Sequence, residues 1–296
     1  MRSETIELNG NPFFVRRWGD ETLPPLLLLH GFPEYGGAWA DFAACLQDRF
    51  HCIAPDQRGY GQSWAPPEVR NYTLPELVGD MAALVEAEGR GAVTVMGHDW
   101  GAAVAYGLAM FRPDLTERLI IANGVHPAPF QASLAKGGAQ TAASQYIPFL
   151  RRPDSHEILA ANDFEKFLAL FSANMDLSWM TKEMQEDYKT EWKRGDRFKT
   201  MVHWYRASPI EVPKPGETLQ NPPVAPKERL MVNCPHLLIW ADGDTALLPE
   251  STEGLEDYAP DLTRVTVEGA DHWLLHQKPQ EVARIVRDWM PPQSAA

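Results

Sequence analysis

The chain has 296 residues, of which 44% are hydrophobic and ten are Trp, with a net charge of −13 and a pI near 5.1. That length can bury a large core, in one domain or in one domain carrying an insertion. The acidic balance and the lack of any Lys/Arg cluster argue against a nucleic-acid partner and favour solubility. In chain order, Thr5–Leu8 and Phe13–Trp18 predict a hairpin about Asn9-Gly10, a strong turn pair. Pro25–Leu29 is a continuous apolar run ending at His30-Gly31, which predicts a buried strand. Trp39–Leu46 has helical spacing, Phe50–Ala54 is a short strand, and Leu74–Ala87 is an amphipathic helix. A strand over 92–96, a helix over Gly101–Phe111 and a strand over Leu119–Ala122 follow. Strands alternating with helices imply a mostly parallel, doubly wound sheet.

The rhythm breaks after Gly124. From Pro127 to Pro226 strand signals vanish, and helix formers and aromatics dominate, as in Phe164–Phe171, Met184–Trp192 and Phe198–Tyr205. Pro209–Pro226 is a Pro-rich connector. Strands resume at His236–Trp240 and Arg264–Val267, and a helix over Pro279–Trp289 closes the chain. The intervening stretch exceeds any ordinary connection. The expected organisation is therefore an α/β core in two parts, 1–126 and 227–296, with a helical cap and connector over 127–226.

The cysteines, Cys45, Cys52 and Cys234, are scattered, with no C-x-x-C pair and no Cys/His cluster. No metal site or disulfide framework is expected, and Cys45 and Cys52 read as buried thiols. The opening MRSETIELNG has no apolar signal region, and the LLLL run at 26–29 is far too short to cross a membrane. A cytoplasmic protein is expected.

The chemistry is concentrated in Gly97-His98-Asp99-Trp100-Gly101. A β-branched strand runs into a glycine-flanked turn and then a small-residue helix, the shape of a nucleophile elbow with Asp99 at its tip. A carboxylate needs no base to activate it and can displace a leaving group at saturated carbon, leaving an ester on the protein. The same Asp would also serve as an ordinary helix cap. Hydrolysis of the ester needs a base, and His is poised near neutral pH. His272 lies in a loop at the C-terminal end of a predicted strand, the edge where sites form in doubly wound sheets. Asp242 and Asp244 both follow the strand before it.

Taken together and in this order, His30-Gly31-Phe32-Pro33-Glu34, Arg58-Gly59-Tyr60-Gly61, the Asp99 elbow, Trp204-Tyr205-Arg206, Gly243-Asp244 and Asp271-His272-Trp273 make the chain resemble the α/β-hydrolase fold, and within it the epoxide hydrolases, from the first hairpin to the last helix. The resemblance implies Asp99 as nucleophile, His272 as base and Asp244, rather than Asp242, as its orienting acid. Some related dehalogenases carry the acid after the strand matching Leu119–Ala122, where this chain has Asn123. The oxyanion donors expected are the N–H groups of Trp100, following the nucleophile, and Phe32, in the turn after Gly31. Pro33 has no N–H and sets that turn, with a cis bond one way to do so.

An epoxide oxygen leaves as a basic alkoxide and needs an acid, whereas a halide does not. Tyr146 and Tyr205 match the two tyrosines that epoxide hydrolases hold over the nucleophile, although packing is the commoner fate of Tyr. Glu34 and His98 match a water and proton network behind it, and His98 is equally readable as a core histidine. Trp39, Trp179 and Trp204 are candidates for an aromatic pocket wall. Haloalkane dehalogenases share Asp-Trp at the elbow but usually have Asn after the first His-Gly, where this chain has Phe32, or a second Trp from the cap, and fluoroacetate dehalogenases have arginines where it has Trp100 and Ala103. The resemblance thus implies a cofactor-free, metal-free epoxide hydrolase for a small neutral apolar substrate; a homodimer is one candidate assembly, and neither nucleic acid nor membrane is expected as partner. The alternatives are a haloalkane or haloacetate dehalogenase using the same triad, and an inactive ligand binder on the fold.

Overall fold

The computed structural model describes residues 1–172 and 174–291. Eight strands form one sheet: β1 (Arg2–Leu8), β2 (Asn11–Trp18), β3 (Pro25–Leu29), β4 (His51–Pro55), β5 (Val93–His98), β6 (Thr116–Ala122), β7 (His236–Ala241) and β8 (Leu262–Val267). Their order is β1-β2-β4-β3-β5-β6-β7-β8. β1 pairs antiparallel with β2 and β2 with β4, while every other pairing is parallel. The β1–β2 hairpin turns on Asn9 and Gly10, both at positive φ (52° and 76°), as a tight two-residue turn requires.

The α-helices, in chain order, are α1 (Ala40–Ala44), α2 (Leu74–Glu88), α3 (Trp100–Phe111), α4 (Pro127–Ala135), α5 (Ala139–Ala143), α6 (Tyr146–Leu150), α7 (Ser155–Phe171), α8 (Lys182–Lys193), α9 (Arg197–Ala207), α10 (Leu274–Gln277) and α11 (Pro279–Trp289). α2 carries Pro75 in its first turn and ends on Gly89 in the left-handed conformation, so propensity sets both its ends. The side-chain period of two splits the central strands between two cores. Leu27 and Leu29 face one, with residues of α2, α3 and the insertion. Leu26 and Leu28 face the other, with Trp39, Phe42 and the Val282, Ile285 and Val286 stripe of α11.

The helices α4–α9 are inserted between β6 and β7. Sequence periodicity marked α8, α9 and the second half of α7 but did not separate α4, α5 and α6, which are short or lack a one-sided apolar stripe. α7 breaks at Asn162, Asp163 and Phe164, all at positive φ, with Asp163 held by Lys189 and Lys193 of α8. The expected helix over Trp39–Leu46 is smaller: a 3₁₀ turn over Gly36–Trp39 leads into the five residues of α1. Cys52 is buried, whereas Cys45, expected to be buried, is only half so, like Cys234. Among the described residues no helix is long and apolar enough to cross a membrane.

This topology gathers the site. β3 and β5 are neighbours, yet the chain leaves β3 toward β4 and leaves β5 toward β6, so their exit loops diverge and open a crevice at the C-terminal edge. Along that edge stand, in sheet order, the loop after β3 with Phe32, Asp99 after β5, Asn123 after β6, Asp244 after β7 and His272 after β8.

Candidate active site

Asp99 sits at φ 50° and ψ −121°, a conformation strained for a residue with a Cβ. Two glycines permit its position. A Cβ on Gly31 would lie 2.4 Å from the Asp99 carboxylate, and one on Gly101 would lie 2.0 Å from the Leu29 carbonyl oxygen. β5, β3 and α3 therefore meet at main-chain contact, and the Asp99 side chain is thrust into the crevice.

The Phe32 N–H donates to Asp99 Oδ1 at 2.7 Å. Phe32 precedes a cis peptide to Pro33. The other carboxylate oxygen, Oδ2, lies 3.6 Å from His272 Nε2. His272 Nδ1 pairs with Asp244 Oδ2 at 2.8 Å. Asp242, the other carboxylate of that loop, is exposed and accepts from the Gly269 N–H at 2.8 Å instead. Asp244 Oδ1 takes the N–H groups of Ala246 and Leu247 at 2.8 and 2.9 Å. Asn123 Nδ2 donates to Oδ2 at 2.6 Å, while its own Oδ1 accepts from the Ala241 N–H at 2.8 Å. Asn123, itself uncharged, thus clamps the Asp244 carboxylate. Its place after β6 was legible in the sequence; its role as a donor was not.

The electrostatics follow from these contacts. Burial alone would raise the Asp244 carboxyl; the His272 charge and hydrogen bond, the Leu247 N–H and the Asn123 amide outweigh it and hold it below the usual carboxylate range. Burial alone would lower His272; Asp244 and then Asp99 outweigh it and hold the imidazole well above its ordinary value. His272 thus lies between two carboxylates that favour its protonated form.

Two cavities meet at Asp99, and Tyr146 and Tyr205 line both. One, of about 150 Å³, is walled by Trp100, Phe130, Ile147, Trp204 and Leu247 among others. The second, of about 520 Å³, is bounded by Phe32, Phe149, Phe167, His272 and Trp273. The tyrosine rings stand 6.0 Å apart at 81°. Tyr205 also packs edge-on against Phe32 and Trp100, each at 5.1 Å. Burial, and then the Asp99 charge, push both phenols well above the ordinary tyrosine value, so both carry their protons.

The remaining candidates separate. Trp204 lines the smaller cavity, and its indole N–H donates to the Arg58 carbonyl at 3.0 Å. Trp39 is not at the site: it is 2% exposed in the opposite core, 5.5 Å from Phe42, because the last residue of the 3₁₀ turn packs under the sheet rather than over it. Trp179 lines neither cavity at Asp99 and stacks flat on His276 at 3.9 Å. Glu34 and His98 are also outside both cavities, buried beneath the loops, with His98 Nδ1 3.2 Å from Glu34 and Nε2 2.8 Å from the His272 carbonyl. Several cavity walls that sequence reasoning missed, Phe149 and Phe167 among them, come from the insertion, where no motif marks which aromatic faces inward.

A family profile described as alpha/beta hydrolase fold matches residues 24–279. The AB hydrolase superfamily protein YfhM of Bacillus subtilis (strain 168) is 30% identical over 295 residues, covering 99% of each chain. A solved structure from work on novel epoxide hydrolases in metagenomes from hot environments aligns over 99% of each chain with a TM-score of 0.89 and 36% identity. The Bacillus megaterium epoxide hydrolase, solved in complex with an inhibitor, aligns over 96% of this chain and 99% of its own with a TM-score of 0.86 and 26% identity. The chain belongs to the alpha/beta hydrolase fold family, and epoxide hydrolases are among the relatives it resembles there.

Proposed function

We propose that the protein hydrolyses epoxides to vicinal diols through an ester on Asp99. The observation that carries this reading is the pair of protonated tyrosines, Tyr205 buried and Tyr146 half-buried, sharing both cavities with Asp99. A halide leaves without help; an oxirane oxygen does not, and a phenol is an acid that stays loaded at neutral pH. In the first step an Asp99 oxygen attacks an oxirane carbon, the ring C–O bond breaks, and a proton passes from Tyr146 or Tyr205 to the ring oxygen. Esterification removes one of the two negative charges that hold a proton on His272, so its proton affinity falls when a base is required. In the second step His272, oriented by Asp244, first passes the proton it carries to the tyrosinate left by ring opening; the neutral imidazole then takes a proton from water, and the hydroxide adds to the Asp99 carbonyl carbon. The charge develops on the oxygen facing the Phe32 N–H. The Trp100 N–H, first in α3 and without an intrahelical acceptor, is the second donor. Collapse expels the diol oxygen, which takes the proton of the added hydroxyl, and restores the Asp99 carboxylate; His272 keeps the proton from water and is back in its resting state.

No Lys or Arg is among the described residues lining either cavity, which supports a neutral, apolar substrate over a carboxylate. The test is the intact mass of His272→Gln after incubation with epoxides, haloalkanes and haloacetates, with Asp99→Asn/His272→Gln as control. An added mass of one whole epoxide, absent from the control, is expected. Adducts only from halogenated compounds, lighter by the lost hydrogen halide, would reassign the chain to dehalogenation and leave the tyrosines as packing.

A further inference from the structure

We propose that Tyr188 and His276 are positioning residues for the ester-hydrolysis step, acting through Glu34; this rests on the two-step reading above. The Glu34 side chain is 3% exposed. Its Oε1 accepts from the Tyr188 hydroxyl at 2.9 Å and from His276 Nε2 at 2.6 Å, and its Oε2 faces His98 Nδ1 at 3.2 Å. A buried carboxylate depends on such donors, and loss of one turns it toward those that remain.

Glu34 joins two loops. Its main-chain N–H donates to the Gly31 carbonyl at 2.9 Å, closing the turn that presents the Phe32 N–H to Asp99. Its carboxylate holds His98, whose other nitrogen meets the His272 carbonyl at 2.8 Å. One side chain thus ties the oxyanion donor to the base. The insertion grips the same place: Tyr188 of α8 packs on Tyr35 at 5.4 Å, and Trp192, one turn on, donates to the Pro33 carbonyl at 2.8 Å. From the other side His276 of α10, four residues after the base, is held flat against Trp179, which aims its Nε2 at Glu34.

None of Glu34, Tyr188 and His276 lines either cavity at Asp99, so they touch neither substrate nor the acids of ring opening. Disturbing them leaves both phenols in place and Asp99 on its own tightly packed backbone beside Gly31, so the displacement falls chiefly on the Phe32 N–H and His272, the groups that act on the ester. A shift of about 1 Å in such groups is worth up to ~10²-fold in a single step.

Rapid-quench intact-mass measurements with styrene oxide separate the two steps. In Tyr188→Phe and His276→Leu, ester hydrolysis is expected to slow at least about tenfold while alkylation stays within about twofold, so that adduct accumulates at steady state. His276→Gln keeps an N–H donor for Glu34 and is expected to recover most of the loss. Trp192→Phe removes the independent anchor at Pro33 and is expected to act in the same direction. Equal slowing of both steps, or unchanged partition in folded variants, would overturn the proposal. Absence of any adduct in His272→Gln would instead overturn the two-step reading beneath it.

Discussion

Replacing Gly101 by Ala tests how closely the position of the nucleophile depends on main-chain contact. The new Cβ would meet the Leu29 carbonyl oxygen at 2.0 Å and that of His30 at 2.6 Å. Neither atom can easily swing aside: Leu29 is paired with Gly97 of β5, and the His30 carbonyl accepts from Gln57 Nε2 at 2.6 Å. The start of α3 must therefore retreat by more than about 1 Å to reach ordinary contact distance. Overpacking of this kind costs about 1–3 kcal/mol. At roughly 2–4 °C per kcal/mol for a chain of this size, Tm should fall by about 2–12 °C. The larger effect is on chemistry. The retreat carries Asp99 and Trp100 away from the Phe32 N–H, now 2.7 Å from the carboxylate, and a misplacement of that size costs on the order of 10²-fold in rate. Gly79→Ala is the control: it lies inside α2 with no atom within 4 Å of a new Cβ. It should gain about 0.5–1 kcal/mol and leave turnover unchanged. Thermal unfolding and diol formation measured side by side decide the matter. A Gly101→Ala protein with wild-type Tm and wild-type turnover would refute the reasoning.

Tyr146→Phe and Tyr205→Phe should each slow ring opening, and the double variant should lose about 10²–10⁴-fold, the range for a general acid, with the loss seen in adduct formation rather than ester hydrolysis; an undiminished double variant would remove the tyrosines from the chemistry. Stability should fall in mild acid, because burial lowers His126 to about 4, and burial with the His126 and Arg264 charges lowers His236 to about 3. Both folded values lie below the unfolded histidine value of about 6.5, so the unfolded chain takes up protons first, and each residue withdraws roughly 1.4 kcal/mol per pH unit below it until its own folded value is reached. Melting curves from pH 7.5 to 5 should show this drop, smaller in His236→Gln; a flat Tm would contradict it. Trp39→Phe should lower Tm while KM stays within about twofold, since the side chain packs with Phe42 in the core away from Asp99; a large change in KM would return Trp39 to the pocket.

Local order in the chain determined much of this protein. The hairpin at Asn9-Gly10, the apolar runs of the central strands and the strand–turn–helix around Asp99 depend on residues a few positions apart, so propensity and φ/ψ sterics suffice to read them. Asp99, Asp244 and His272 could be nominated because each follows a strand, and parallel strands deliver their C-terminal ends to one edge. Tertiary structure decided what distance in sequence conceals. Asp244 rather than Asp242 meets His272 because of how one loop turns after β7. Asn123 meets Asp244 only because β6 lies beside β7. Trp39 and Trp204, equal as aromatic candidates, fall on opposite faces of the sheet. Tyr188 and His276 reach Glu34 across 154 and 242 residues of chain. Helices of the insertion pack by shape and burial with no fixed spacing to the nucleophile, so which of their side chains turn inward is set by the folded whole.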